Sequence, residues 1–246
     1  MTRTALVVGG SGGIGSAIVR RLADDGLRVR VGYTHGEDRA LAVVASLPGD
    51  GHEALRVDVT DRTSIEAAAA RLDELDGSLD VLVNAAGVTR HVAHDDLDAL
   101  DDDTIDRIFA VNWRGAFSTV RALRGLLERS DDGVVVNVSS IAATTGLGSN
   151  VAYCASKAAL DSMTRSLARA LAPRLRVVSV SPGWVMGEYA ASAPEGHLDG
   201  QRAQTPLGRL AQGEDVAAAV SAIVHDLVLT TGAIVPVDGG RTLGVR

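Results

Sequence analysis

The sequence predicts a single α/β domain, a doubly wound parallel sheet of about seven strands flanked by helices. Three observations carry that prediction. Short β-branched runs alternate with longer stretches of helical periodicity along all 246 residues. Several runs (ALVV, VLVN, VVVNV) are apolar almost throughout, the pattern of strands covered on both faces of a parallel sheet. The 27 glycines against 6 prolines point to tight turns, and no repeat, low-complexity tract or interdomain linker interrupts the alternation.

Taken in order, a first strand at 5–8 leads through a glycine-rich turn into a helix. Ile14, Ile18 and Leu22 recur there at one-turn spacing until Asp24 and Gly26 end it. Strands follow at Arg28–Tyr33 and 54–57, then an alanine-rich helix at 64–75 that stops at Gly77. After a strand at Val81–Asn84 comes a long mixed helix at 104–129 and a strand at 134–139. The helix at 155–172 carries Leu160, Met163, Leu167 and Leu171 before Pro173. A strand at 176–181, a helix at 215–226 and a strand at 233–237 close the chain. The least regular stretch, 187–206, follows a strand. Ligands of open α/β sheets bind beyond the carboxyl ends of the strands, so this segment is expected to form a lid over substrate.

Bulk properties narrow the function classes. A net charge of −7 and a pI near 5.3 give no electrostatic case for nucleic acid or an anionic membrane. The single cysteine, Cys154, excludes an internal disulfide and fits a reducing compartment. The start, MTRTALVV, does not read as a signal peptide, and no apolar run approaches the roughly 20 residues that span a bilayer. A cytoplasmic location is expected. The acidic stretch at 95–103, preceded by His91 and His94, reads as a solvated loop whose last aspartates cap the next helix. No metal site is assigned.

Chemistry is concentrated in three places. Gly9, Gly13 and Gly15 in VVGGSGGIG follow a strand and open a helix, where backbone N–H groups and the helix dipole suit a pyrophosphate. Tyr153 and Lys157 stand four apart in YCASK, one helical face apart by a single turn. A tyrosine keeps its proton until about pH 10, and a nearby cation lowers that value. Ser140, at the end of VVVNVSS, is placed to hold a substrate oxygen.

With VDVTD at 57–61, VNAAG at 83–87, VNWRG at 111–115, SPG at 181–183, TPLGRL at 205–210 and VDGG at 237–240, the chain resembles the short-chain dehydrogenase/reductase family. It is most similar to the 3-oxoacyl-acyl-carrier-protein reductase and polyketide ketoreductase branch. The resemblance implies a Rossmann-type sheet and an oxidoreductase with the catalytic set Asn112, Ser140, Tyr153 and Lys157. In that set Tyr153 exchanges the proton, Lys157 tunes it and holds the nicotinamide ribose, Ser140 binds the reacting oxygen, and Asn112 positions a water for Lys157. It further implies dinucleotide contacts from Gly9, Ser11, Gly13, Ile14 and Gly15, from Asp58 and Val59, and from Asn84, Ala85, Ala86 and Gly87. Tyr153, Lys157, Pro182, Gly183 and Val185 complete the implied cofactor set.

Cofactor choice turns on the end of the second strand. Tyr33 stands where an acidic residue would select NAD, and no carboxylate follows until Glu37. Thr34, His35 and Arg39 are therefore read as receivers of a 2′-phosphate, although the glycine loop has Gly12 where NADP users often carry a basic residue. NADP(H) is favoured, with NAD(H) the alternative. The expected reaction interconverts a ketone and a secondary alcohol, the substrate being 3-oxoacyl or polyketide-like and either free or borne on an acyl carrier protein. The family also implies a homotetramer built through the two long helices. The rival readings are an NAD(H)-dependent alcohol or sugar dehydrogenase and a non-catalytic nucleotide-binding sensor or scaffold.

Overall fold

The apolar β-branched runs assemble into one sheet in a computed structural model that describes residues 2–187 and 196–244. The strands are β1 (Thr4–Val8), β2 (Arg28–Tyr33), β3 (Glu53–Arg56), β4 (Val81–Asn84), β5 (Gly133–Val138), β6 (Leu175–Pro182) and β7 (Ile234–Val237). Their order is β3-β2-β1-β4-β5-β6-β7, and every neighbouring pair is parallel. The chain winds outward from β1 to β3 and then returns to the other side of β1. That reversal opens a crevice beyond the carboxyl ends of β1 and β4. The third strand begins one residue earlier than the sequence pattern suggests, because Glu53 already pairs with Arg30.

Helices cover both faces. On one side α1 (Gly13–Asp24), α2 (Glu37–Ala45) and a helix at Gly213–His225, here α9, pack Ile18, Leu22, Val43, Val220 and Ile223 onto the sheet. On the other, α3 (Arg62–Asp76), α5 (Ala116–Leu127) and α7 (Val151–Leu171) contribute Leu72, Leu123, Leu127 and Leu171. The short helices α4 (Asp102–Phe109), α6 (Ala142–Thr145) and α8 (His197–Ala203) complete the set among the described residues.

Three sequence expectations change in detail. The long helix expected at 104–129 is α4 joined to α5 through a π-helical segment, Ala110–Gly115, whose register shift brings Asn112 inward. Helix α7 starts four residues before the expected 155, because Asn150 caps it: Asn150 Oδ1 accepts the Tyr153 N–H at 2.7 Å. Of the expected lid, 188–195, with Tyr189, lies outside the described residues, while α8 occupies part of the remainder. As the sequence suggested, the acidic stretch ends in a cap, Asp101 Oδ1 accepting from the Thr104 N–H.

A buried polar chain ties the sheet to its helices. Thr119 Oγ1 donates to Asn84 Oδ1 at 2.7 Å, and Asn84 Nδ2 donates to Asn137 Oδ1 at 2.9 Å. Asn137 Nδ2 continues to Thr164 Oγ1 at 2.9 Å, which lies 2.8 Å from Ser179 Oγ. The chain locks β4, β5 and β6 against α5 and α7, so the strand ends that carry the site move as one block.

Candidate active site

The carboxyl ends of the strands surround a cavity of about 1210 Å³ whose lining includes Ile14, Ala85, Gly87, Ser140, Tyr153 and Lys157. On the far wall lie Pro182, Gly183 and Val185, contributed by the end of β6 and the residues after it. Eight residues expected to touch cofactor or substrate therefore border one space with Tyr153, although they come from separate parts of the chain.

The glycine turn is built for close backbone approach. Gly9 adopts φ +79°, and a Cβ there would meet the backbone of Ala86 at 2.7 Å. A Cβ on Gly15 would overlap the Gly9 carbonyl oxygen. Gly12 caps α1 without any side-chain hydrogen bond, and Gly12 and Gly13 are exposed. The first-turn N–H groups of α1 thus face outward with no side-chain cap, a donor set that fits a dinucleotide pyrophosphate. Gly15→Ala is expected to weaken dinucleotide binding at least tenfold, the size of one lost charge-assisted hydrogen bond. Calorimetric titration checks this, and unchanged affinity would remove the loop from the site.

Tyr153 projects from the first turn of α7. The cap residue Asn150 also donates to the Arg90 carbonyl at 2.7 Å, which fixes the helix start to the loop after β4. One turn on, Lys157 is buried and its Nζ donates to the Val138 carbonyl at 2.8 Å. Nζ lies 5.8 Å from the Tyr153 ring centre. Burial lowers the Lys157 ammonium to about 8, against an opposing pull from Asp161. Ser140 Oγ accepts the Ala142 N–H at 3.2 Å, which leaves its own proton to donate into the cavity.

Asn112 sits behind this wall. Its Oδ1 accepts the Val88 N–H at 2.8 Å, and its Nδ2 donates to the Val88 carbonyl and to Ser156 Oγ, each at 3.1 Å. The carboxamide therefore clamps the loop after β4 to α7. Asp161, one turn beyond Lys157, carries no expectation from sequence. It is buried, and neither carboxylate oxygen has a hydrogen-bond partner among the described residues. Burial raises its pKa, and Ser139, Arg165 and Lys157 partly offset that.

The adenine end is less uniform. Asp58 Oδ1 accepts from the Thr60 N–H and hydroxyl, whereas the cap of α3 is Asp61. Tyr33 and Val59 bury their side chains in the two cores, and Asn84 belongs to the polar chain, so none of the three presents its side chain to the cavity. The Tyr33 phenol is raised by burial and by Glu37. Thr34 donates its hydroxyl to the Val57 carbonyl, while His35 and Arg39 are exposed at the end of β2. Ser11 is half-buried in the glycine turn, and Ala86 backs Gly9.

One polar wall of the cavity joins Trp184 to His197 and Gln201, from the stretch expected as a lid, and to Arg241, which the sequence did not single out. Trp184 and His197 rings lie 4.9 Å apart, His197 and Gln201 approach to 3.2 Å, and Arg241 Nη2 donates to Gln201 Oε1 at 3.0 Å. His91 and His94, read as part of a solvated loop, also border the cavity. Cys154 is buried, with burial raising its thiol, as befits a packing residue.

A family model described as enoyl-(acyl carrier protein) reductase matches residues 9–242. The chain is 37% identical over 244 residues to a candidate ketoacyl reductase of the granaticin polyketide synthase of Streptomyces violaceoruber, covering 97% of this chain and 96% of that protein. It is 32% identical over 244 residues to the 3-oxoacyl-[acyl-carrier-protein] reductase of Staphylococcus aureus, covering 98% of each. A crystal structure of a candidate short-chain dehydrogenase/reductase from Burkholderia xenovorans superposes with a TM-score of 0.91 at 31% identity, covering 99% of each chain. The chain belongs to the short-chain dehydrogenase/reductase family, and it is an oxidoreductase.

Proposed function

We propose that this member of the short-chain dehydrogenase/reductase family is an NADP(H)-dependent carbonyl reductase, acting on 3-oxoacyl or polyketide-like ketones. The observation that carries the reading is the convergence of Ser140, Tyr153 and Lys157 on one cavity beneath the uncapped start of α1. When bound, the nicotinamide supplies hydride to the carbonyl carbon. Ser140 donates a hydrogen bond from its hydroxyl to the carbonyl oxygen, keeping its own proton, and stabilises the charge that develops there. Tyr153 then protonates that oxygen, and in the reverse direction accepts the proton from the carbinol. Lys157, held against the Val138 carbonyl, keeps positive charge beside the phenol and so makes proton loss from Tyr153 easier. Asn112 acts as a positioning residue that holds Val88 against α7.

The preference for NADP(H) rests on the end of β2, where Tyr33 stands in place of an acidic residue, the nearby Glu37 carboxylate is engaged with the Tyr33 phenol, and His35 and Arg39 lie exposed. Direct titration is expected to show tighter binding of NADPH than NADH, and the opposite order would overturn that preference. For the reaction itself, a panel of 3-oxoacyl thioesters, cyclic ketones, sugars and a 2-enoyl thioester is monitored by NADPH oxidation. Turnover is expected with the 3-oxoacyl members. Turnover confined to sugars with NAD would favour the dehydrogenase reading, and nucleotide binding with no turnover at all would favour the sensor.

Assembly through the two long helices is supported by one apolar face. Trp113 and Phe117 stack at 6.1 Å, Arg121 lies 5.6 Å from the Phe117 ring centre, and Leu160 and Met163 of α7 pack beside them. This face is where we place the contacts of a homotetramer.

A further inference from the structure

We infer that Arg241 is the anchor for an anionic group of the substrate, a carboxylate or a phosphate ester carried on the ketone's far end. The inference rests on the carbonyl-reductase reading and adds a substrate class to it. Among the described residues lining the cavity no Asp or Glu appears, and the two that carry a full charge are Lys157 and Arg241. Arg202 pairs with Asp199 and Arg209 with Asp215, yet Arg241 makes no ion pair among the described residues.

Its placement is built into the fold. Asp238 accepts from the Gly240 and Thr242 N–H groups and from the Thr242 hydroxyl, closing the turn from which Arg241 projects. That turn packs on the wall of the nicotinamide end: a Cβ on Gly183 would lie 3.1 Å from Asp238 Cα. Gln201 engages a single N–H pair of the guanidinium, through Nη2, and itself leans on His197 and thereby on Trp184. The remaining donors of the planar fork suit a carboxylate or phosphate. Lys157 is the cavity's other cation, but it is already engaged with the Val138 carbonyl beside Tyr153. An anion at Arg241 would orient the ketone with its reacting oxygen toward Ser140 and Tyr153.

Matched probes that differ only in charge test the inference. Acetoacetate is compared with methyl acetoacetate, and acetoacetyl-4′-phosphopantetheine with acetoacetyl-pantetheine, on wild type, Arg241→Met and Arg241→Lys. Each ketone is titrated calorimetrically into enzyme loaded with oxidised dinucleotide, so that binding is read without turnover. Kinetics with the reduced form then supply kcat/KM. In Arg241→Met the ratio of anionic to neutral affinity is expected to fall at least tenfold, the size of a charged hydrogen bond, with dinucleotide affinity within about threefold of wild type. Arg241→Lys, which keeps charge and loses the fork, is expected to lie between. The pair that discriminates locates the charge, on the acyl body or on the carrier arm. An unchanged ratio for both pairs overturns the inference, as does a parallel loss of dinucleotide affinity. Absence of turnover with every ketone strikes the reductase reading instead, and the titration still decides Arg241.

Discussion

Tyr153→Phe is expected to lower turnover by about a thousandfold, the middle of the range for losing a positioned general acid. The substitution keeps the ring and removes only the phenolic oxygen. The helix start should hold, because Asn150 caps it through the Tyr153 backbone N–H, not through the side chain. The ring should also stay seated, since its Cδ1 lies 3.1 Å from where a Cβ on Gly148 would be. Dinucleotide affinity is accordingly expected to change by less than about tenfold, the worth of one neutral hydrogen bond to a ribose. Steady-state kinetics on a 3-oxoacyl thioester, with calorimetric titration of NADPH, separate the two effects. Wild-type turnover by the phenylalanine variant would remove Tyr153 from the chemistry. A comparable collapse in cofactor affinity would mean that the residue binds and does not catalyse.

The parts of this site that were legible in sequence are those whose physical requirement acts along the chain. The central strands β1, β4 and β5 announced themselves as nearly continuous apolar runs because they are covered on both faces, and Gly9, Gly13 and Gly15 did so as a glycine cluster between a strand and a helix start. The Tyr153–Lys157 pair was legible as a one-turn spacing. What stayed hidden depends on contacts across the fold. Helix α2 (Glu37–Ala45) was missed because it buries only Ala40 and Val43, too few positions to show a period. The π-helical step at Ala110–Gly115 leaves no compositional mark, yet Asn112 lies buried within it with its carboxamide bonded to Val88 and Ser156. Arg241 looks like one more arginine until the turn held by Asp238 brings it beside Gln201. Asp161 sits one turn from Lys157, but its burial depends on what the fold packs around α7, which no spacing in the sequence reveals.

That burial makes Lys157 the site of the second large effect. Lys157→Met is expected to reduce turnover by about 10²–10³-fold, because the cation that favours Tyr153 ionisation is gone. It is also expected to leave the cofactor-free protein as stable as wild type, or more stable, at pH 7. The ammonium titrates near 8 in the folded chain and near 10.4 when exposed, with burial the dominant cause. Below pH 8 both states hold the proton, and the folded state bears the whole desolvation cost, on the order of 3 kcal/mol for such a shift. Between about pH 8 and pH 10.4 the unfolded chain binds more protons than the folded one, so wild-type stability gains as pH rises. The methionine variant lacks that gain. Chemical denaturation of both proteins at pH 7, 8, 9 and 10 is therefore expected to show the wild type improving relative to Lys157→Met across the upper three values, while Asp161, Arg165 and the Ser139 hydroxyl are common to both. Parallel pH curves would mean that Lys157 is not held buried and charged at neutral pH. A variant that is both inactive and strongly destabilised at pH 7 would make Lys157 a structural bolt through its bond to Val138, and its loss of turnover would then say nothing about the proton.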